Sequence, residues 1–257
     1  MFSREHQAAL DAVAKAGAAV RELYKDRKIV EMKGEDNPLA EADLASNAIL
    51  EEVLRGAFPD FGWLSEESVD DPVRLTKSHT WIVDPVDGTR EFTLGIPEFV
   101  ISVGLAVDGK ATVGALYNPI RDQLFSGIVG VGAWFNNEAC RVTTHAQLDG
   151  AKLVASRSEM KKGWFDDYLD RMEIDPCGSV AYKFGLVGAG LADATFTPKP
   201  RNEWDICGGV AVVTAAGGRC TDGSGAEYGF NRPDPLHHGI CCTNGAIHPE
   251  IFKLVNR

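Results

Sequence analysis

The sequence predicts an α+β chain passing into α/β, with helices and sheets alternating in layers. Three observations predict it. Apolar residues recur at helical spacing in the first two dozen positions. Between Phe99 and Val129, apolar runs follow one another through tight turns, as in an antiparallel sheet. Beyond residue 150, short apolar runs alternate with helical stretches, as they do in α/β units.

Leu10, Val13, Gly17, Val20 and Tyr24 share one helical face, so the chain opens with an amphipathic helix. A second helix covers Glu41 to Gly56 and stops at the Phe58-Pro59 turn. Trp81-Ile82-Val83 reads as a short buried strand running into Asp84. Phe99 to Val107 and Ala111 to Tyr117 are joined by Asp108-Gly109-Lys110. An Asp-Gly turn between two such runs is a strong hairpin signal. Gln123 to Val129 adds another antiparallel strand. Apolar periodicity then lapses near residues 136–150. After it, Lys152 to Ala155 reads as a strand, and Trp164 to Met172 and Tyr182 to Ala189 read as helices. Ala192 to Thr197 is a strand, Trp204 to Ala216 a helix closed by Gly217-Gly218, and Gly239 to Thr243 a strand.

A chain of 257 residues suffices for one large domain or two modest ones sharing a core. Its 44% hydrophobic and 25% charged residues are those of an ordinary globular protein. The net charge of −11 argues against a nucleic-acid polymer as partner, because such binding needs clustered Lys and Arg. It does not exclude a small phosphate ester, since bound metal ions reverse the local sign of a carboxylate-rich site. Arg4, Glu5, Asp11, Lys15, Arg21 and Glu22 interrupt any signal-peptide pattern, and the longest apolar run, Phe99 to Val107, is too short to span a bilayer. The six cysteines form no C-x-x-C pair, which suits reduced thiols rather than disulfides or a zinc site. A cytoplasmic protein without a membrane partner is expected.

The sharpest motif is Trp81-Ile82-Val83-Asp84-Pro85-Val86-Asp87-Gly88-Thr89. A buried strand delivers two carboxylates, three positions apart, into the loop that follows. Pro85 holds Asp84 extended, and Gly88 lets the backbone turn or approach a ligand closely. Asp84 and Asp87, with the Val86 carbonyl between them, form a hard oxygen set suited to Mg²⁺. A helix beginning after Gly88 would present N–H groups to a phosphate. An isolated motif of this kind is equally a turn with two solvated aspartates. Two further segments weigh against that reading. Leu64-Ser65-Glu66-Glu67-Ser68 places paired acids after Phe61-Gly62-Trp63, and Asn202-Glu203-Trp204-Asp205 puts an acid in the first turn of a helix. His237-His238 is read as structural or surface, because adjacent strand residues point to opposite faces.

Together these segments resemble the inositol monophosphatase family of metal-dependent phosphatases, and the resemblance covers nearly the whole chain. It implies a layered α-β-α-β-α sandwich of the sugar phosphatase type. It implies an N-terminal α+β domain over residues 1–140 with most metal ligands, and a C-terminal α/β domain over 141–257 supplying Asp205 and substrate contacts. Glu66, Asp84 and the Val86 carbonyl would hold one Mg²⁺. Asp84 would bridge to a second, which Asp87 and Asp205 also hold, and Glu66 would help a third, looser ion. Thr89 would orient the attacking water with Asp43 as its hydrogen-bond partner, giving Thr89, Asp43 and Glu66 catalytic roles. Gly88 and Thr89 would cradle the phosphate, and Lys33 matches a basic position beside it. Ala40 stands where a Thr is common. The resemblance also implies lithium inhibition and a homodimer.

The substrate is a small phosphorylated metabolite, and its alcohol is less legible. No acid occurs in Phe196-Thr197-Pro198-Lys199-Pro200, where inositol-specific members carry one that contacts sugar hydroxyls. Glu203 resembles instead the 3′(2′),5′-bisphosphate nucleotidase branch, as do Thr89-Arg90-Glu91-Phe92 and Tyr228 to Asp234. Gly95-Ile96-Pro97 and Gly114 to Pro119 look like the inositol branch. Lys199 and Arg201 would meet a second phosphate, or are solvated loop charges. The reading leans to 3′-phosphoadenosine 5′-phosphate, with inositol 1-phosphate second and histidinol or sugar phosphates after it. A regulatory protein that keeps the fold without catalysis is the competing class. The complete acid set and Thr89 speak against it.

Overall fold

The computed structural model describes residues 2–34 and 37–255 of the chain. One outer layer consists of α1 (Ser3–Leu23) and α2 (Glu41–Ala57), joined through a small antiparallel hairpin of β1 (Ile29–Gly34) and β2 (Asn37–Ala40). α1 buries Ala9, Ala12, Val13, Ala16, Gly17 and Val20, a stripe at helical spacing that needs an apolar surface to cover it. That surface is a seven-stranded sheet. It contains β3 (Gly62–Ser65), β4 (His79–Asp87), β5 (Val100–Val107), β6 (Lys110–Asn118), β7 (Gln123–Ile128), β8 (Gly132–Phe135) and β9 (Glu138–Cys140), lying in sequence order. The five-residue helix α3 (Thr89–Thr93) follows β4. β3 runs parallel to β4, and each later neighbour is antiparallel. The strand pleat sorts the cores. Trp81 and Val83 pack with α1 and α2, and Ile82 packs on the opposite side.

Residues 141–151 carry no helix or strand. Beyond them lie β10 (Lys152–Ser156), the short α4 (Arg157–Met160), β11 (Glu173–Cys177), α5 (Val180–Gly188), β12 (Ala194–Asn202), α6 (Glu203–Ala215), β13 (Arg219–Thr221), β14 (Leu236–Thr243) and α7 (His248–Val255). The strands form a second sheet in the order β11-β10-β12-β14-β13. α5 and α6 share a core with both sheets, and α7 packs on the outer face of the second. On β14, Ile240 and Cys242 face the middle helices while Cys241 faces α7. The layers therefore run helix, sheet, helix, sheet, helix, as the sequence predicts. All six cysteines are free thiols. Among the described residues, no helix is long and apolar enough to cross a membrane.

α6 positions the functional residues. Ile206 through Val213 are all buried, so the helix has no polar face and fits between two apolar surfaces. It lies against β6 at backbone distance. A Cβ at Gly114 would stand 2.2 Å from the Gly208 carbonyl oxygen, so only glycine allows this approach.

One predicted helix is absent. Residues 164–172 form a 3₁₀ turn at Asp166–Tyr168 flanked by other turns. Phe165 and Met172 are buried while Trp164 and Leu169 are exposed, so the apolar residues make no helical stripe. Elements that sequence reasoning left unmarked are mostly short or at edges. β11 is an edge strand containing Pro176, a residue tolerated there because it need not donate to the ladder.

Candidate functional site

A cleft of about 380 Å³ opens where the end of β4 meets the first turns of α5 and α6. Asp84 and Asp87 are three residues apart, and in a regular strand they would face opposite sides of the sheet. A bulge prevents this. Asp84 pairs with Ser102 and Asp87 with Val100, three steps on β4 against two on β5. Pro85, with no N–H for the ladder, lies inside that irregularity, and the extra residue returns Asp87 to the face of Asp84. Asp84 is 1% exposed and accepts the Val86 N–H at 3.0 Å. At Gly88 the chain turns with φ of 102°, and a Cβ there would lie 3.0 Å from Phe99 Cβ. Both the conformation and the space demand glycine.

Asp205 arrives from the opposite layer. It is the third residue of α6, and its carboxylate accepts the Asn202 N–H at 2.9 Å, closing a capping box. Asp84, Asp87 and Asp205 each place a carboxylate oxygen within 4.8 Å of the others. Burial is the first cause that raises all three carboxyls. The charges of Glu66, Asp87 and Asp205 push Asp84 further up, and Asp205 reaches about 8. Hydrogen bonds from Ser179 and Ala181 oppose the rise at Asp87. Two buried carboxylates and a half-buried one this close are costly without a compensating charge. Their all-oxygen donor set fits a hard divalent cation.

The other expected residues gather around this cluster, with exceptions. Glu66 follows β3 and lines the cleft beside the three aspartates. Thr89 Oγ1 lies 2.8 Å from Asp43 Oδ1 and 2.9 Å from the Val86 carbonyl, so the Thr89–Asp43 pair is formed. Asp43, in the first turn of α2, also accepts the Ala40 N–H at 2.8 Å and is 1% exposed. Burial pushes its carboxyl up to about 7, against the Thr89 and Ala40 hydrogen bonds. Lys33 is on β1, and its side chain lies outside the described residues.

Glu203 is placed differently from the sequence expectation. It is 0% exposed and absent from the cleft lining. Its two oxygens accept the N–H groups of Asn231 at 2.6 Å and Arg232 at 2.9 Å. The same loop is held by the buried Arg74, which bonds Asn231 Oδ1 and the Arg232 carbonyl. Glu203 therefore anchors the Tyr228 to Asp234 stretch. Of the Lys199 and Arg201 pair, only Arg201 lines the cleft. Lys199 lies away from the cleft, against the buried Glu159 at 3.6 Å and over the Trp164 ring. His237 is buried and His238 exposed, as strand alternation requires.

Sequence reasoning did not single out Ser179, Lys183 or Arg157, which also line the cleft. Lys183 was detectable in principle as the single charge in the apolar run Val180 to Gly188. It is 7% exposed, and Nζ donates to the Ser179 carbonyl at 2.8 Å. Arg157 is held by Glu98 at 2.6 Å, a contact between distant segments that no local pattern reveals.

The profile of the inositol monophosphatase family matches residues 3–257. Inositol monophosphatase 3 of Solanum lycopersicum is 32% identical over 259 residues, which span 96% of this chain and 95% of that protein. The fructose-1,6-bisphosphatase/inositol-1-monophosphatase of Thermotoga maritima is 32% identical over 223 residues, 85% of this chain and 82% of its own. The crystal structure of the extragenic suppressor protein SuhB from Bartonella henselae superposes with a TM-score of 0.86 at 28% identity, covering 98% of each chain. With this match and a site of converging carboxylates, the chain belongs to the inositol monophosphatase family of metal-dependent phosphoric monoester hydrolases.

Proposed function

We propose that this protein is a Mg²⁺-dependent phosphatase of a small metabolite whose alcohol part carries a second anionic group, a 3′(2′),5′-bisphosphate nucleotide such as 3′-phosphoadenosine 5′-phosphate. The convergence of Asp84, Asp87 and Asp205 beside the Thr89–Asp43 pair is the observation that carries the chemistry. Glu66, Asp84, Asp87, Asp205 and the Val86 carbonyl would hold two or three ions. Bound there, Mg²⁺ supplies positive charge for the phosphoryl oxygens and acidifies water.

The chain's own residues do the rest. Asp43 accepts the Thr89 hydroxyl proton, which leaves the Thr89 oxygen able to accept from an attacking water and aim it. The N–H groups of Gly88 and Thr89 take phosphate oxygens as negative charge spreads over them. Lys183 and Arg201, on the opposite wall, supply charge-assisted donors for a second anionic group. The stretch 196–200 contributes no residue to the cleft lining, so no acid from it meets sugar hydroxyls.

A second reading, inositol 1-phosphate, is favoured by the names of the curated relatives. Phosphate release from 3′-phosphoadenosine 5′-phosphate, inositol 1-phosphate, fructose 1,6-bisphosphate and histidinol phosphate, each with Mg²⁺ and with EDTA, tests both. Preference for the first compound supports the proposal, and preference for inositol 1-phosphate supports the alternative. No Mg²⁺-dependent release from any of them sinks both. A homodimer, inhibited by Li⁺ and working in the cytoplasm, is part of the same proposal.

A further inference from the structure

We propose that Ser179 is a positioning residue that presets Asp87 for its cation, an inference that rests on reading Asp87 as a metal ligand. Ser179 caps α5 and is 8% exposed. Its oxygen accepts the Tyr182 N–H at 2.9 Å, which is all that capping requires. Its proton does something more. It is donated to Asp87 Oδ2 at 2.5 Å, and the Ala181 N–H reaches the same oxygen. Two donors from α5 thus commit Oδ2, leaving Oδ1 as the oxygen that a cation takes. Asp87 belongs to the seven-stranded sheet and Ser179 to the middle layer, so the bond sets one ligand across the junction that builds the site.

The backbone of Ser179 supports this role. Its φ of 55° and ψ of 133° lie where a side-chain-bearing residue is strained. Such a conformation persists when its surroundings over-determine it. Here Glu98, gripped by Arg157, accepts the Gly178 N–H at 2.9 Å. Gly178 packs on Glu91 so closely that a Cβ would lie 2.4 Å from Glu91 Cγ. The segment is therefore braced through Gly178 before the serine and through the Ala181 N–H on Asp87 after it, and the hydroxyl is held on Asp87.

Outer hydrogen bonds of this kind orient metal ligands, and their loss typically costs about 10- to 100-fold in affinity or activity. The test is calorimetric titration of Mg²⁺ into the substrate-free full chain, beside kcat measured at saturating Mg²⁺. Ser179→Gly removes the hydroxyl and suits a φ of 55°, so folding is retained. It should weaken Mg²⁺ binding about 10-fold while kcat at saturation falls less than about threefold. Ser179→Cys, which keeps a weaker donor, should fall between. Asp87→Ala should abolish the binding that Ser179→Gly weakens. If Asp87→Ala weakens binding and Ser179→Gly leaves it unchanged, Ser179 is only a cap and the inference fails alone. If Asp87→Ala binds like the parent, the ligand assignment fails and takes the inference with it.

Discussion

The two walls of the cleft differ in charge. The wall from the seven-stranded sheet and its loops carries Glu66, Asp84, Asp87 and Glu91, with Arg90 as its cation among the described residues. The wall from beyond residue 150 carries Arg157, Lys183 and Arg201, with Asp205 as its acid. In the function proposed above, the first wall would gather cations onto a phosphoryl group and the second would meet the alcohol it is attached to. Reaction and selection would then be separable by position, with Asp205 the acid that the second wall lends to the first.

The largest test of that division is at the bridge. Asp84→Asn should lower kcat by at least about 10³-fold on every substrate, because one oxygen of the ligand proposed to serve both ions would be lost. Steady-state kinetics that kept wild-type turnover would end the two-ion assignment. On the other wall, Arg201→Ala should reduce kcat/KM for 3′-phosphoadenosine 5′-phosphate by about 10- to 100-fold, and for inositol 1-phosphate by less than about threefold. Equal losses would erase the distinction between the walls.

Glu203 belongs to neither wall. Its removal in Glu203→Ala strands the half-buried N–H groups of Asn231 and Arg232, so it should destabilise the fold by about 2 kcal/mol in urea titration. The ratio of activities on the two substrates should stay unchanged. A shifted ratio would return Glu203 to the substrate.

The smallest effect is read in pH. The carboxyls of Asp43 and Asp205 sit at about 7 and about 8 rather than at 3.8, raised first by burial. The metal-free folded state holds protons there that the unfolded chain has released. That contribution is complete below the unfolded value and is lost as pH rises through the folded ones. In EDTA the unfolding temperature should therefore fall from about pH 4 to about pH 8 and level off above, and Mg²⁺ should raise it more at the upper end. Parallel curves with and without Mg²⁺ would detach the acids from the ion.

The acids were legible in the sequence because each sits beside a local signal. Asp84 and Asp87 end a buried strand, and Asp205 opens a helix. That they converge was legible only through the family resemblance. The convergence depends on a bulge that moves Asp87 to the other face and on a glycine contact that seats α6, and neither has a local period. The antiparallel hairpins were readable from the Asp108-Gly109 turn and its flanks. The edge strand with Pro176 was not, because proline reads as a break. The 164–172 segment misled because apolar and acidic residues alternate there without settling on one face. Ser179 was hidden for another reason. Its partner is 92 positions away, and a serine before a helix already has an ordinary explanation as a cap.

The wedged position of α6 has a consequence for how the protein comes to life on the ribosome. A nascent chain that has exposed only the seven-stranded sheet holds Asp84 and Asp87 but lacks the acid that closes their triangle. One sheet face, with Gly114 at its centre, has nothing yet to cover it. The same helix that buries this face also carries Asp205. Completion of the hydrophobic core and arrival of the last ligand are therefore a single event. The incomplete chain lacks both together, the cover for that face and the third acid of the cluster.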